Sequence, residues 1–220
     1  MIFEVKNILK RPRKLIPYRN HLQLSSSSAA SNGFQPPKEH SIRRGALMKL
    51  LHQQAQTLPL FITFSRDERP PPLCGCIPAE PNYVGKIGDM VAALVKSTEG
   101  EENWILAEIV NYNSNTSKYE IDDIDEEQKE RHILSKRKIV PLPLYRANPE
   151  THPQALWPRK STVLALYPQT TCFYRAIVQE LPKTAVDQYK VLFEDSSYQE
   201  GFSPPLSISQ RFIIKSQLKK

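Results

Sequence analysis

The chain has 220 residues, of which 40% are hydrophobic, and 30 basic side chains against 23 acidic ones give it a formal charge of +7. This length allows one large core or two small ones, and no apolar run approaches the roughly 20 residues that span a membrane, which argues against a membrane partner. The pI near 9.3 favours an acidic partner such as nucleic acid, but the acidic block DDIDEE at residues 122–127 shows that net charge alone does not identify it.

The first third of the chain is predicted to hold one helix between two irregular segments. Residues 1–40 are basic, lack periodicity and are predicted to form a disordered leader. Residues 41–58 are predicted to form an amphipathic helix, with Ser41 as its candidate N-cap and Pro59 as its stop. The apolar face of this helix comprises Leu47, Leu50, Leu51 and Ala55. Residues 59–82 are rich in proline, which excludes regular elements and predicts an extended strap.

From residue 83 onward the sequence predicts short strands separated by polar turns. Residues 83–144 contain DMVAALVK, NWILAEIVNY, SKYEIDDID and ERHILSKRKIVPLP, and residues 145–216 contain STVLALYP, CFYRAIVQEL, QYKVLFEDS and SISQRFIIK in the same order. At nearly constant spacing, Val91 aligns with Val163, Ala107 with Ala176, and Tyr119 with Tyr189. We therefore predict a mainly β fold with two tandem copies of a small, bent antiparallel barrel, at residues 83–144 and 145–216.

The repeat serves as an internal control for three aromatic residues of the second copy. The alignment places Tyr167 on Val95, Tyr174 on Ile105, and Phe193 on Asp123. The first copy has no aromatic ring at these positions, and an aspartate would be a costly substitute inside a core. The three positions are therefore predicted to form a rim or a site, with ordinary core packing as the alternative.

The three rings and the nearby carboxylates suggest two cation sites. Asp195 follows Phe193 at strand spacing, so both side chains face the same way. Aromatic faces beside a carboxylate suit a quaternary or methylated ammonium ion. In the first copy Asp123 and Asp125 share one face of their strand and are predicted to receive a second cation, whereas Glu126, Glu127 and Glu130 are read as a solvated turn.

The quoted segments YEIDDIDEEQKERHILS, ALYPQTTCFYRA and VLFEDSSYQEGFSPPL resemble the C-terminal tandem Tudor domain of the SAGA-associated factor 29 family. The similarity extends upstream through PPPLCGCIPAEPNYV and GALMKLLHQQAQTLPL, although the leader does not resemble the coiled coil expected at the family's N-terminus. The resemblance implies two packed SH3-like Tudor barrels. It also implies a nuclear, non-catalytic reader of the histone H3 tail di- or trimethylated at its fourth residue, a lysine, that recruits a SAGA-type histone acetyltransferase complex.

The resemblance also implies a role for each matched residue. The methyl-lysine cage consists of Tyr167, Tyr174, Phe193 and Asp195. The pocket for the free N-terminus of the tail consists of Asp123, Ile124, Asp125, Gln169, Thr170, Thr171 and Cys172. A further histone contact is assigned to Glu194. The partners are therefore the methylated H3 tail and other subunits of the complex, with weak contact between the basic runs and nucleosomal DNA.

Two other functional classes remain as alternatives. Small β-barrels bind single-stranded nucleic acid through aromatic side chains in basic grooves, but Asp123 and Asp195 would repel phosphates here. An enzyme is disfavoured because two carboxylates on one strand do not face each other across a substrate, and Cys172 has no identifiable histidine partner. Three cysteines without zinc spacing and only 7 glycines, with no phosphate-binding loop, predict no disulfide, no metal and no cofactor.

Overall fold

The computed structural model describes residues 39–63, 68–97, 100–125 and 131–216, with helix side chains described from residue 45 onward. Within these residues the chain forms one helix and ten antiparallel strands. The elements are helix α1 (Glu39–Thr57), strands β1 (Met90–Lys96), β2 (Glu102–Asn113), β3 (Lys118–Asp123), β4 (Arg131–Ser135) and β5 (Ile139–Pro141) of the first barrel, and strands β6 (Thr162–Leu166), β7 (Cys172–Glu180), β8 (Tyr189–Phe193), β9 (Leu206–Ile208) and β10 (Ile213–Lys215) of the second. The predicted class, a mainly β fold with two barrels behind one helix, is confirmed. The predicted leader lies outside the described residues up to residue 38, as do Glu126, Glu127 and Glu130.

The two barrels use the same strand register, which confirms the repeat. Val91 of β1 pairs with Ala107 of β2, and in the second barrel Val163 pairs with Ala176. On the next strand Ala107 pairs with Asp123, and Ala176 pairs with Phe193. The long strand of each copy also carries a register irregularity at the same place, between Ile109 and Asn111 in β2 and between Val178 and Glu180 in β7. The aligned residues are therefore structural equivalents.

A buried tyrosine holds the entry of the chain into each barrel. The hydroxyl of Tyr119 accepts the backbone N–H of Gly85 at 3.0 Å, and the hydroxyl of Tyr189 accepts that of Trp157 at 2.9 Å. Both tyrosine side chains are almost fully buried, at 2% and 1% exposure. Because a buried N–H group without a partner is costly, each tyrosine ties the incoming segment to its own barrel.

The helix packs on the second barrel. Leu51 and Ala55 belong to the same buried cluster as the second barrel's strands, and α1 contacts the turn Gln210–Phe212. Two details of the predicted helix were wrong. The helix begins at Glu39, so Ser41 lies within its first turn and is not the N-cap. Leu50 was assigned to the apolar face, but its side chain is 47% exposed, whereas Leu51 and Ala55 are each 4% exposed, so Leu50 lies at the flank of the packed face.

The strap and the connection between the barrels run side by side. Backbone bonds join Phe61 N–H to the carbonyl of Arg146 at 2.8 Å and Gly75 N–H to the carbonyl of Tyr145 at 3.0 Å. A Cβ atom on Gly75 would lie 2.2 Å from the carbonyl oxygen of Ala155, and its φ of +55° also favours glycine. On the other side, the buried Gln210 amide forms two hydrogen bonds, of 2.9 and 3.0 Å, with the backbone of Ala147 in the connection. The connection is thus fixed between the strap and the second barrel.

Candidate functional site

The two barrels are joined by main-chain pairing between β2 and β7. Trp104 pairs with Phe173, and Ile105 pairs with Cys172, so the two sheets form one continuous sheet. The N–H of Leu106 donates to the carbonyl of Thr171 at 2.7 Å, just outside the paired residues. We call this junction the β2–β7 seam. The seam brings the end of β3 in the first barrel next to the turn between β6 and β7 in the second.

The turn between β6 and β7 places two tyrosines at its ends. Pro168 and Gln169 occupy its centre, and the φ of Gln169 is 62°, which matches a type II turn with proline at its second position. The Thr170 N–H donates to the carbonyl of Tyr167 at 3.1 Å, and the Thr170 hydroxyl donates to the same oxygen at 2.9 Å. The turn is therefore held by its own backbone. Gln169 is exposed at its tip, whereas Thr171 is buried at 4% exposure.

The three aromatic residues predicted as a cage lie together. The ring centroid of Tyr167 lies 5.8 Å from that of Tyr174, with the two planes at 81°, and 5.0 Å from that of Phe193, with the planes at 66°. Tyr167 and Tyr174 are partly buried and pack against the second barrel's core. The three rings, from three strands or their ends, thus meet at one place, with Tyr167 in edge contact with both of the others.

The three positions are predicted to form a rim or a site, and a rim is wrong for Phe193. Its side chain is fully buried, at 0% exposure, and belongs to the core cluster of the second barrel. The equivalent residue, Asp123, is only partly buried, so the two barrels are closed differently at this end. Phe193 therefore combines core packing with the ring contact to Tyr167.

Asp195 lies beside the aromatic cluster and is almost buried, at 6% exposure. Its Oδ1 atom accepts the N–H of Ser197 at 2.9 Å, which fixes the carboxylate in the turn after β8. Burial, the nearby hydroxyl of Tyr198 and the Asp195 carboxylate all raise the pKa of Tyr167. Asp195 thus acts electrostatically on Tyr167. Tyr198, which is 44% exposed, is a neighbour that the sequence analysis missed.

The acidic group predicted in the first barrel lies across the seam from this cluster. Asp123 accepts the N–H of Asp125 on its Oδ1 atom at 2.9 Å. Burial raises the pKa of the Cys172 thiol, and the carboxylates of Asp123 and Asp125 raise it further. The two aspartates therefore lie close to Cys172. The side chain of Ile124 packs instead against the second barrel's core, as strand alternation requires.

Tyr174 connects the two groups of residues. Its hydroxyl donates a hydrogen bond to the Cys172 thiol, and burial together with this neighbour raises the pKa of Tyr174 to about 12. Both groups are therefore neutral at physiological pH. The side chains form one continuous series from the aspartates through Cys172 and Tyr174 to Tyr167 and Phe193.

Glu194 lies outside this series. Its carboxylate forms an ion pair with Arg175 at 2.9 Å, and its side chain is 27% exposed. The N–H of Glu194 donates to the carbonyl of Arg175, so the pair spans neighbouring strands at the edge of the aromatic cluster. Glu194 is accessible to a ligand, with its charge already partly balanced.

The described part of the chain contains neither a candidate metal site nor a candidate membrane-spanning helix. No group of three or more histidine, cysteine or acidic side chains in it is arranged to hold a metal ion. None of its helices is long and apolar enough to cross a membrane.

Comparisons with known proteins identify similar chains. A family model described as "SGF29 tudor-like domain" matches residues 87–217, which includes both barrels. The chain is 53% identical over 210 residues to "SAGA-associated factor 29kDa" of Drosophila melanogaster, covering 96% of this chain and 70% of the fly protein. It is 29% identical over 140 residues to "SAGA-associated factor 29 homolog A" of Arabidopsis thaliana, covering 60% of this chain and 50% of the plant protein. The chain thus matches half the length of this plant relative.

Proposed function

The chain belongs to the SGF29 tudor-like domain family, and on that premise we propose that it reads the histone H3 tail methylated at its fourth residue, a lysine. The family relationship supports a chromatin reader associated with SAGA. The fly relative's name calls that protein SAGA-associated. The finer proposal concerns the ligand. The tail's di- or trimethylated lysine enters the aromatic cluster, and its free N-terminus enters the acidic pocket.

The proposed cage is formed by Tyr167, Tyr174, Phe193 and Asp195. A methylated ammonium group is large and poorly hydrated, so ring faces attract it more effectively than they attract a bare ammonium. Asp195 adds a negative charge that is already held in place by the Ser197 N–H. The pKa of Tyr174, raised to about 12, keeps this phenol neutral.

The proposed second pocket holds the α-ammonium group of the tail between Asp123 and Asp125, against Cys172 and the turn residues Gln169, Thr170 and Thr171. Because the pKa of the Cys172 thiol is raised, the thiol stays neutral and the two carboxylates supply the negative charge. The Thr171 carbonyl already accepts the Leu106 N–H, so the seam fixes the wall of this pocket. Ile124 supports the pocket through its packing on the second barrel. Glu194, next to Phe193 in the sequence and paired with Arg175, is proposed as a further histone contact.

One observation carries the proposal: the aromatic cluster and the acidic group are linked through Cys172 and Tyr174. Each cation–π contact contributes about 0.5–2 kcal/mol, so a cage alone binds weakly. Micromolar affinity needs about 8 kcal/mol, which two cation sites can reach together. An extended segment from the first to the fourth residue of a peptide spans about 10 Å. Two sites joined by a rigid seam therefore select a methyl-lysine close to a free N-terminus.

The consequence for the cell is recruitment. We propose that the second and first barrels together place a SAGA-type histone acetyltransferase complex on methylated H3 tails in the nucleus, without a catalytic role or a cofactor. The basic runs of the chain are proposed to add weak contact with nucleosomal DNA. A nucleic-acid reader is less well supported because Asp123, Asp125 and Asp195 all lie within the site.

Calorimetric titration with four H3 peptides tests the proposal. The peptides combine an unmodified or trimethylated fourth residue with a free or acetylated N-terminus. We expect the free, trimethylated peptide to bind tightest and each change to weaken it. Affinity unaffected by acetylation would remove the amine pocket from the proposal, and affinity unaffected by methylation would remove the cage.

Matched variants separate the site from the fold. Tyr174→Ala is expected to abolish the methyl preference and to keep a folded circular-dichroism spectrum. Tyr145→Ala, which truncates a tyrosine that is 38% exposed in the connection, is expected to leave all four affinities unchanged. An unfolded Tyr174→Ala variant would assign this tyrosine to core packing.

A further inference from the structure

A cavity of about 80 Å³ lies at the Met90 end of strand β1. Val95, which is equivalent to Tyr167, lies near the other end of this strand. Its wall combines Tyr83 and Asp89 from the loop before β1, Leu144 from the connection, and Arg211 from the turn Gln210–Phe212 of the second barrel. One water needs at least about 10–15 Å³, so this cavity accepts a group of several heavy atoms. None of the site residues described above lines it.

Arg211 gives the cavity a donor without a partner. Its Nε atom is buried and has no hydrogen-bond partner, while its NH1 atom donates to the carbonyl of Pro143 at 3.3 Å. Burial lowers the pKa of Arg211, and the nearby Asp89 acts in the opposite direction, so the guanidinium remains charged. At the wall of the cavity, this positive charge favours a ligand that supplies an acceptor.

Asp89 gives the cavity an acceptor. One of its oxygens, Oδ2, accepts the Lys86 N–H at 2.7 Å and the Tyr83 hydroxyl at 3.4 Å. Among the described residues, neither Asp89 oxygen is hydrogen-bonded to Arg211, although the two charges interact through space. The cavity therefore has a positive donor and a negative acceptor that do not satisfy each other directly.

These opposite charges select the chemistry of a ligand. A carboxylate would gain from Arg211 but would be repelled by Asp89, and an ammonium group would meet the reverse problem. A carboxamide is neutral and carries an acceptor and a donor, so its oxygen suits the positive charge of the Arg211 guanidinium and its NH₂ suits Asp89. The cavity also has room for the amide group.

Three exposed apolar side chains lie in the segments that line the cavity. Val84 and Ile87 belong to the loop before β1 and are 41% and 73% exposed, and the lining residue Leu144 is 38% exposed. Exposed apolar side chains beside a polar cavity are typical of a protein interaction site. We propose that this surface docks a partner protein through an asparagine or glutamine side chain that enters the cavity beside an aliphatic residue that covers Ile87 and Leu144. This inference is independent of histone binding.

Titration of the ¹⁵N-labelled chain followed by NMR tests this inference with three probes of similar size: propionamide, propionate and propylammonium. We expect propionamide to shift the Arg211 Nε–H signal and the amide signals of Gly85, Gly88 and Asp89, with the tightest binding of the three. Isovaleramide, which has a larger alkyl group, is expected to bind roughly fourfold tighter for each added methylene that becomes buried. Tighter binding of propionate or propylammonium, or the absence of shifts from every probe, would overturn the proposal.

Two variants give the test a second, independent readout. Asp89→Asn keeps an acceptor for the Lys86 N–H but removes the negative charge, so the preference is expected to move from propionamide towards propionate. Ile87→Ser changes an exposed side chain, and it is expected to remove the gain of isovaleramide over propionamide. Both variants are expected to bind the trimethylated H3 peptide like the unchanged chain, so failure here and failure of the histone proposal are distinguishable.

Discussion

The variant Phe193→Leu separates the two roles of this ring, because leucine fills much of the buried space but has no aromatic face. Phe193 is fully buried in the second barrel's core and its ring centroid lies 5.0 Å from that of Tyr167. Truncation to alanine would cost about 3–5 kcal/mol, which is a large part of the total stability of a small domain. The leucine substitution avoids that loss.

The expected magnitudes differ for stability and for binding. A swap that nearly conserves volume in a core costs less than about 1.5 kcal/mol, so Phe193→Leu is expected to remain folded. Loss of one aromatic face removes about 0.5–2 kcal/mol of cation–π attraction. The preference for the trimethylated over the unmodified peptide should therefore fall roughly 2- to 30-fold.

Urea unfolding and calorimetric titration measure the two quantities on the same preparation. Phe212→Leu is the matched control, because Phe212 is also buried in this core, at 7% exposure, and is outside the proposed site. The control should lose similar stability and keep its methyl preference. Unchanged preference in Phe193→Leu would refute the assignment of this ring to the cage, and an equal loss in both variants would show that general core damage is responsible.

Three further predictions concern neighbouring residues. Asp123→Asn should move the raised pKa of Cys172 downward, measured by alkylation rate against pH with mass spectrometry, and should weaken binding of peptides with a free N-terminus only; an unchanged thiol pKa would contradict the described proximity. Tyr189→Phe should lower the free energy of unfolding by about 1–3 kcal/mol because the Trp157 N–H loses its acceptor, and a urea melt that matches the unchanged chain would argue against this bond. The pKa of Tyr174 is about 12 in the folded chain, against 10 for a free tyrosine. The contribution of the neutral phenol to the free energy of unfolding is therefore fully present below pH 10 and is lost as the pH rises towards 12. Tyr174→Phe should therefore lose less stability than the unchanged chain over this pH range in denaturant titrations.

Strand alternation and the internal repeat predicted most of the fold. The alignment of Val91 with Val163 and of Asp123 with Phe193 is reproduced by strand pairing, because both copies must bury the same face of each strand. The repeat also led to the proposed site, since Phe193 and Asp195 stand at the places of Asp123 and Asp125 in the other copy.

Other features depend on tertiary contacts that a single sequence does not specify. The repeat suggested that Phe193 was exposed, but the two barrels close differently at this end and bury the ring. Leu50 fits the helical spacing of its neighbours, yet the barrel contacts only the face that carries Leu51 and Ala55. The pairing of β2 with β7 involves main-chain atoms, which leave no pattern in the side chains. Tyr198 was missed because it approaches Tyr167 only through the turn after β8.

In the proposed function, the β2–β7 seam also fixes the distance between the two sites that hold the peptide. Its spacing is set by backbone hydrogen bonds, so substitutions of side chains change it little. A peptide anchored by both ends would be measured against this fixed length, and moving its methyl-lysine by one position would displace the methylammonium group by about 3.3 Å. That displacement is comparable to the size of the group itself. Tails of the wrong length would therefore be rejected by geometry, without any contact that reads the side chains between the two anchors.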